Sequence, residues 1–150
     1  MFSRVGLSGV AKFTCMVGQI VPDMEIKAMS LVIHPETAAD HESIRHVNRL
    51  AFGQGEEARL VDALREGGFV RVSLVAERAG QVVGHILFSD LPIITRAGTV
   101  PALALAPMGV LPEFQKQGIG SALVNRGLEA CRQQGHQVVV LGHAHLAGLA

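Results

Sequence analysis

Tyrosine and tryptophan are absent from this chain, and six phenylalanines are its only aromatic residues. Cysteine is scarce too. Cys15 and Cys131 stand far apart, which excludes a disulfide framework and a metal-ligand spacing, and suits a reducing, cytoplasmic setting. Neither sign of charge is in excess: 13 Lys and Arg balance 13 Asp and Glu, so there is no electrostatic case for nucleic acid or an anionic membrane as partner. No apolar run reaches the length of a membrane span, and no internal repeat or low-complexity segment is visible. What is present is 150 residues, 49% of them apolar, which is enough for one domain with a core and too apolar for a disordered chain.

Residues 1–30 differ from the rest. Arg4 and Lys12 are the only charges before Asp23, set among Gly, Val and Ser. The expectation is an N-terminal extension of poor order. A targeting peptide is the alternative, weakened by Lys12 inside the apolar stretch and by the lack of an A-x-A site. Met24 and Met29 are candidate natural starts. Regular patterning begins at Leu31 and defines a single domain over 31–150.

Leu31–His34 reads as a short strand ended by Pro35. Thr37 and Asp40 resemble a capping box. Ile44, Val47 and Ala51 then recur at helical spacing up to Gly53, and Leu60, Val61 and Leu64 mark a second helix from Glu56. From Val70 the period changes to two, with Val72, Leu74 and Ala76 alternating with Arg71, Ser73 and Glu77, which predicts a strand with one buried face. A tight turn at 78–81 leads into a strand over 82–89, giving an antiparallel hairpin. Residues 90–101 form a connection, with Ile93 and Ile94 extending the strand. Strand 102–110, helix 121–134 and the apolar run Val138–Leu141 compose a βαβ crossover, the last expected as a buried parallel strand. The order β-α-α-β-β-β-α-β predicts a mixed α/β, α+β architecture around one sheet.

The informative string runs from Met108 to Leu123, MGVLPEFQKQGIGSAL. It leaves a strand, turns and opens a helix. Gly118 and Gly120 carry no Cβ to block a ligand, and the first amides of the helix point outward with the positive end of its dipole behind them. Amides around Gln115–Ser121 can form a nest for a pyrophosphate. A G-x-G alone is also a common tight turn before a helix. There is no Walker A loop, and Leu123 stands where a dinucleotide fingerprint needs its third glycine.

The full pattern, Gln115-x-x-Gly118-x-Gly120 after Val110-Leu-Pro112, is similar to the Q/R-x-x-G-x-G/A signature of the GNAT N-acetyltransferase superfamily. Ile33-x-Pro35 with Asp40, and the strand Val83–Ser89, resemble the small bacterial YhbS-like acetyltransferases of that family. The resemblance covers about Leu31 to Gly142. It implies an acyl-CoA N-acyltransferase fold with a partly splayed sheet. It further implies acetyl-CoA as co-substrate and transfer of the acetyl group to a primary amine of a small molecule or protein. The alternative is a remnant that binds acyl-CoA without turnover. Met108, Gly109 and Val110 are expected to meet the pantetheine arm, and Gln115, Lys116, Gln117, Gly118, Ile119, Gly120 and Ser121 the pyrophosphate. For Lys116 a solvated loop position is an equal alternative. Pro107 and Gly109 weaken pairing at the end of their strand; an edge strand is the other reading of Pro107.

Many members of the family use a tyrosine after the fifth strand to protonate the departing thiolate, and this chain has none. The eight residues after Gly142 (143–150) are too few for the family's final helix and hairpin, which are expected to be missing. A homodimer partner is one way to fill that edge. No carboxylate lies on strand 102–110 to act as base. His143 is the candidate acid or base, with His85 a weaker one, and His143-x-His145 lacks the further ligands a metal needs.

Overall fold

The structure, a computed structural model, describes residues 30–142 and 146–147. Most of the expected extension over 1–30, together with His143 and His145, lies outside them. Strand β1 (Leu31–Pro35) is followed by a 3-10 turn (Ala38–Asp40) and helices α1 (His41–Phe52) and α2 (Glu56–Glu66). The Asp40 carboxylate accepts from the Thr37 amide at 2.7 Å, the reciprocal half of the capping box. Gly53 ends α1 at φ 74°, the left-handed conformation that glycine adopts without strain.

Strands β2 (Val70–Arg78) and β3 (Gln81–Asp90) form the predicted hairpin. Ala79 and Gly80 both take positive φ at its turn, as a two-residue primed turn requires. The expected one-sided burial of β2 is corrected: residues 72–76 are buried in succession, as are 82–89 of β3. These are interior strands, covered by helices on both faces. Residues 90–101 are not a plain connection. Beyond Pro92, β4 (Ile93–Thr95) and β5 (Gly98–Val100) pair as a separate antiparallel ribbon. Strand β6 (Leu103–Val110), a 3-10 turn (Pro112–Phe114), helix α3 (Ile119–Gln133), β7 (Val139–Leu141) and β8 (Leu146–Ala147) complete the order.

The main sheet runs β1-β2-β3-β6-β7, with β8 also paired to β6. β6 is antiparallel to β3 and parallel to β7, so it is central and the edge-strand reading of Pro107 does not hold. β7 is parallel as expected but not buried: Val140 is 38% exposed and Leu141 56%, because among the described residues only β6 flanks it.

Strand alternation assigns the two faces. A Cβ built on Gly109 would stand 3.0 Å from Ala51 Cβ of α1; one built on Gly84 would stand 3.0 Å from Leu123 Cδ1 of α3. Gly109 pairs with His85, the neighbour of Gly84, so α1 and α3 lie on opposite faces. Phe88, Ile86, Met108 and Leu123 are fully buried within the core. Helix α3 approaches so closely that a Cβ on Gly127 would fall 2.4 Å from Phe88 Cε2.

Candidate functional site

Strand β6 loses its regular pairing where the sequence puts Pro107. On one side the register with β3 jumps between Ile86/Met108 and Phe88/Leu105, a bulge on β6. On the other, β7 pairs only with Leu103–Leu105, and β8 takes up the edge at Met108 and Gly109. The interruption is thus confined to residues 106–107, and β8 restores pairing beyond it. Met108 and Val110 are fully buried.

After Val110 the chain turns sharply. Leu111 N–H donates to Val83 O at 2.9 Å, and Phe114 N–H to Leu111 O at 2.8 Å. The Gln115 side chain does not reach outward: its Nε2 donates to Val110 O at 2.9 Å, tying the loop to the end of β6. Lys116 (φ 62°) and Gly118 (φ 83°) are both left-handed, and this pair of reversals turns the chain into α3. Lys116, Gln117, Gly118 and Ser121 are exposed, whereas Ile119 and Gly120 are buried. The first internal bond of the helix runs from Ala122 N–H to Gly118 O at 3.0 Å, so the amides of Ile119 and Gly120 precede the regular helical ladder. No acidic residue lies in the first turn to neutralise the helix dipole. A Cβ on Gly118 would meet nothing within 4 Å among the described residues. Left-handed loop, open ground and amides at a helix start are the requirements of an anion site, and the residues present fit a diphosphate.

Two arrangements here were not legible in the sequence. The first is Arg78, at the last position of β2. Its Nη1 donates to Gln117 Oε1 at 2.7 Å and its guanidinium lies 6.0 Å from the Phe114 ring centroid. Its Nε is buried without a partner among the described residues.

The second is a buried polar chain on the α1 face. Ser73 Oγ donates to Glu36 Oε2 at 2.7 Å and so accepts from His85 Nε2–H at 2.9 Å. That fixes the tautomer, leaving His85 Nδ1 to accept from Asn48 Nδ2 at 3.3 Å. Arg65 holds Glu36 through two bonds of 2.9 Å. His85 and Asn48 are fully buried, and Asn48 Oδ1 has no partner among the described residues. A Cβ on Gly109 would stand 3.2 Å from that oxygen. Desolvation lowers the His85 pKa to about 4, with Glu36 opposing the shift and Arg65 adding to it, so the ring is neutral at pH 7. His85 therefore sits in a structural network, without access to solvent. Cys131 is likewise buried, and desolvation pushes its thiol up. Among the described residues no group of three metal-ligating side chains occurs.

Residues 41–147 match the model of the acetyltransferase (GNAT) family. The chain belongs to that family. It is 40% identical over 114 residues to the uncharacterized N-acetyltransferase YjhQ of Escherichia coli K12, covering 74% of this chain and 63% of that protein. It is 33% identical over 111 residues to the uncharacterized N-acetyltransferase YhbS of the same strain, with 73% and 65% covered. The chain thus spans just under two thirds of the length of these curated relatives. A GNAT family acetyltransferase from Brucella melitensis, solved in complex with acetyl-CoA, superposes with a TM-score of 0.69 at 37% identity, covering 75% of each chain. The CoA complex of Escherichia coli YhbS gives 0.68 at 32% identity, with 75% of this chain and 62% of that one covered. The GNAT domain described above therefore has the mixed sheet and flanking helices of its family.

Proposed function

We propose that this GNAT chain binds acetyl-CoA and transfers its acetyl group to a primary amine. The observation that carries the reading is the loop from Gln115 to Ser121. Its glycine reversal and its amides at the start of α3 suit a diphosphate, and the relatives from Brucella melitensis and Escherichia coli were solved with acetyl-CoA and CoA. The loop residues Gln115, Lys116, Gln117, Gly118, Ile119, Gly120 and Ser121 would hold the diphosphate. Gln115 does so indirectly, by anchoring the loop to Val110. The main chain of Met108, Gly109 and Val110 would receive the pantetheine arm. An arm on that edge competes with β8 for Met108 and Gly109, since one strand edge pairs with one partner at a time.

The bound thioester supplies an activated acyl group. The neutral amine attacks the carbonyl carbon, its nitrogen gives up a proton to water, the C–S bond breaks, and CoA leaves as a thiolate that takes up a proton. Main-chain N–H groups of β6 freed from β8 would stabilise the oxyanion. Holding both reactants on one rigid strand supplies much of the rate by proximity. The proton donor would be His143, two residues past the end of β7, in the absence of any tyrosine.

The test is acetyl-CoA-dependent release of free thiol across a panel of primary amines, with calorimetric binding of CoA in parallel. Release with at least one amine, sharply reduced in His143→Gln, is the expected result. Binding of CoA with no release for any amine would contradict transferase activity while leaving the binding site standing.

A further inference from the structure

Arg78 lies 39 residues from the diphosphate loop in sequence, at the tip of the β2–β3 hairpin, and nothing in its neighbourhood marks it as a ligand residue. The fold nonetheless brings it to the loop. β3 is antiparallel to β6, so the hairpin turn falls beside the end of β6 where the loop begins, and Leu111 N–H bonds Val83 O across that junction. The two positive-φ residues Ala79 and Gly80 follow Arg78 directly and hold it in register opposite Gln81.

The guanidinium is half engaged. Nη1 bonds the Gln117 side chain at 2.7 Å, and Phe114 offers a ring at 6.0 Å, which restrains the plane of the group. The other edge is different. Nε is shielded from solvent and has no partner among the described residues. The Nε–Nη2 edge is one of the forks by which arginine grips a phosphate or carboxylate in bidentate fashion. The nearby acids do not fill it: Glu77 is bonded to His34, and Glu113 makes no ion pair among the described residues. A cation restrained in this way against a loop whose own amides suit an anion, with its Nε unsatisfied among the described residues, has the chemistry of a phosphate ligand.

We propose that Arg78 is a diphosphate-binding residue of the coenzyme site, its guanidinium donating to the phosphate held by the loop from Gln115 to Ser121. The proposal rests on the acetyl-CoA reading above. On binding, the guanidinium keeps its place over Phe114, and Gln117 either shares it or gives it up to the phosphate. Lys116 adds a second, exposed charge; Arg78 supplies the directed one.

The experiment is calorimetric titration of CoA and of dephospho-CoA into the wild type, Arg78→Gln and Arg78→Lys, at two salt concentrations. Arg78→Gln should weaken both ligands by about tenfold or more, the loss expected for a charge-assisted bond. Its dependence on salt should become shallower. Arg78→Lys, which keeps the charge and loses the fork, should fall between and guards against a glutamine variant that fails to fold. Equal affinity of all three proteins for CoA would overturn the proposal while leaving the coenzyme site intact. A loss seen with CoA and absent with dephospho-CoA would assign Arg78 to the 3′-phosphate and overturn the diphosphate assignment. A wild type that binds neither ligand would bring down the underlying reading.

Discussion

Acid should destabilise this domain from within, at His85. The ring is fully buried, its Nδ1 accepting from Asn48 and its Nε2–H donating to Ser73. Desolvation holds its folded pKa at about 4, against 6.5 for an unperturbed histidine. Between these values the unfolded chain binds a proton that the folded chain refuses, so stability falls as pH drops through 6.5 and levels off below 4. Two units of that window, from 6.5 to 4.5, amount to about 3 kcal/mol at 1.36 kcal/mol per unit, a large share of the roughly 5–15 kcal/mol that holds a domain together. The shifted carboxylates act at lower pH, while His34 offsets part of the loss near neutrality. In Glu36, desolvation raises the pKa but the bonds from Arg65 and Ser73 outweigh it, so its contribution is lost only as pH falls below 4.5. Asp40, lowered first by the Thr37 amide, acts below 3.8. His34, raised first by the Pro35 carbonyl, contributes below 6.5 and loses that contribution as pH rises through its raised value. The assay is urea unfolding between pH 7 and 4.5, followed by far-ultraviolet circular dichroism because the chain lacks tryptophan and tyrosine. The wild type should lose about 3 kcal/mol across this range. The pair Asn48→Leu with His85→Leu should stay nearly flat. A wild type as stable at pH 4.5 as at 7, or a double variant that loses as much, would refute the reasoning.

Two substitutions test the packing and the charge network separately. Gly127→Ala places a methyl 2.4 Å from Phe88 Cε2; overpacking of about 1–3 kcal/mol should outweigh the roughly 1 kcal/mol gained in helix propensity. Phe88→Leu should recover part of the loss in a double-variant cycle, and simple additivity would show that the contact is not the cause. Arg65→Met removes both bonds to the Glu36 carboxylate, whose side chain is 14% exposed, and should cost about 3 kcal/mol by urea unfolding at pH 7. Adding Glu36→Gln should restore part of that loss, since the stranded charge is then gone.

The crossover and its loop were legible because their signals are local. Gly118 must reverse the chain, Pro112 opens the turn, and the apolar spacing of Val124, Leu128 and Cys131 marks α3. The signals that failed were those in which tertiary cover overrides a local pattern. Ser73 reads as an outward position of an alternating strand, yet it is buried because Glu36 and His85 satisfy its hydroxyl. Val138–Leu141 reads as a buried strand, yet β7 is exposed because among the described residues only β6 flanks it. The ribbon β4–β5 is too short for a period, and Pro92 looks like simple loop punctuation. Glu57 and Asn48 fall on the apolar faces by spacing, yet their polar side chains read as surface, and both are buried. Arg78 meets Gln117 only through sheet topology, and no spacing in the chain announces a contact 39 residues away.

The decisive measurement is a crystal structure of the protein soaked with CoA. The account places the diphosphate against the amides of Ile119 and Gly120, with β8 displaced from Met108 and Gly109 by the pantetheine arm. Density for the coenzyme at another surface, or β8 still paired with β6 while CoA is bound, would contradict it.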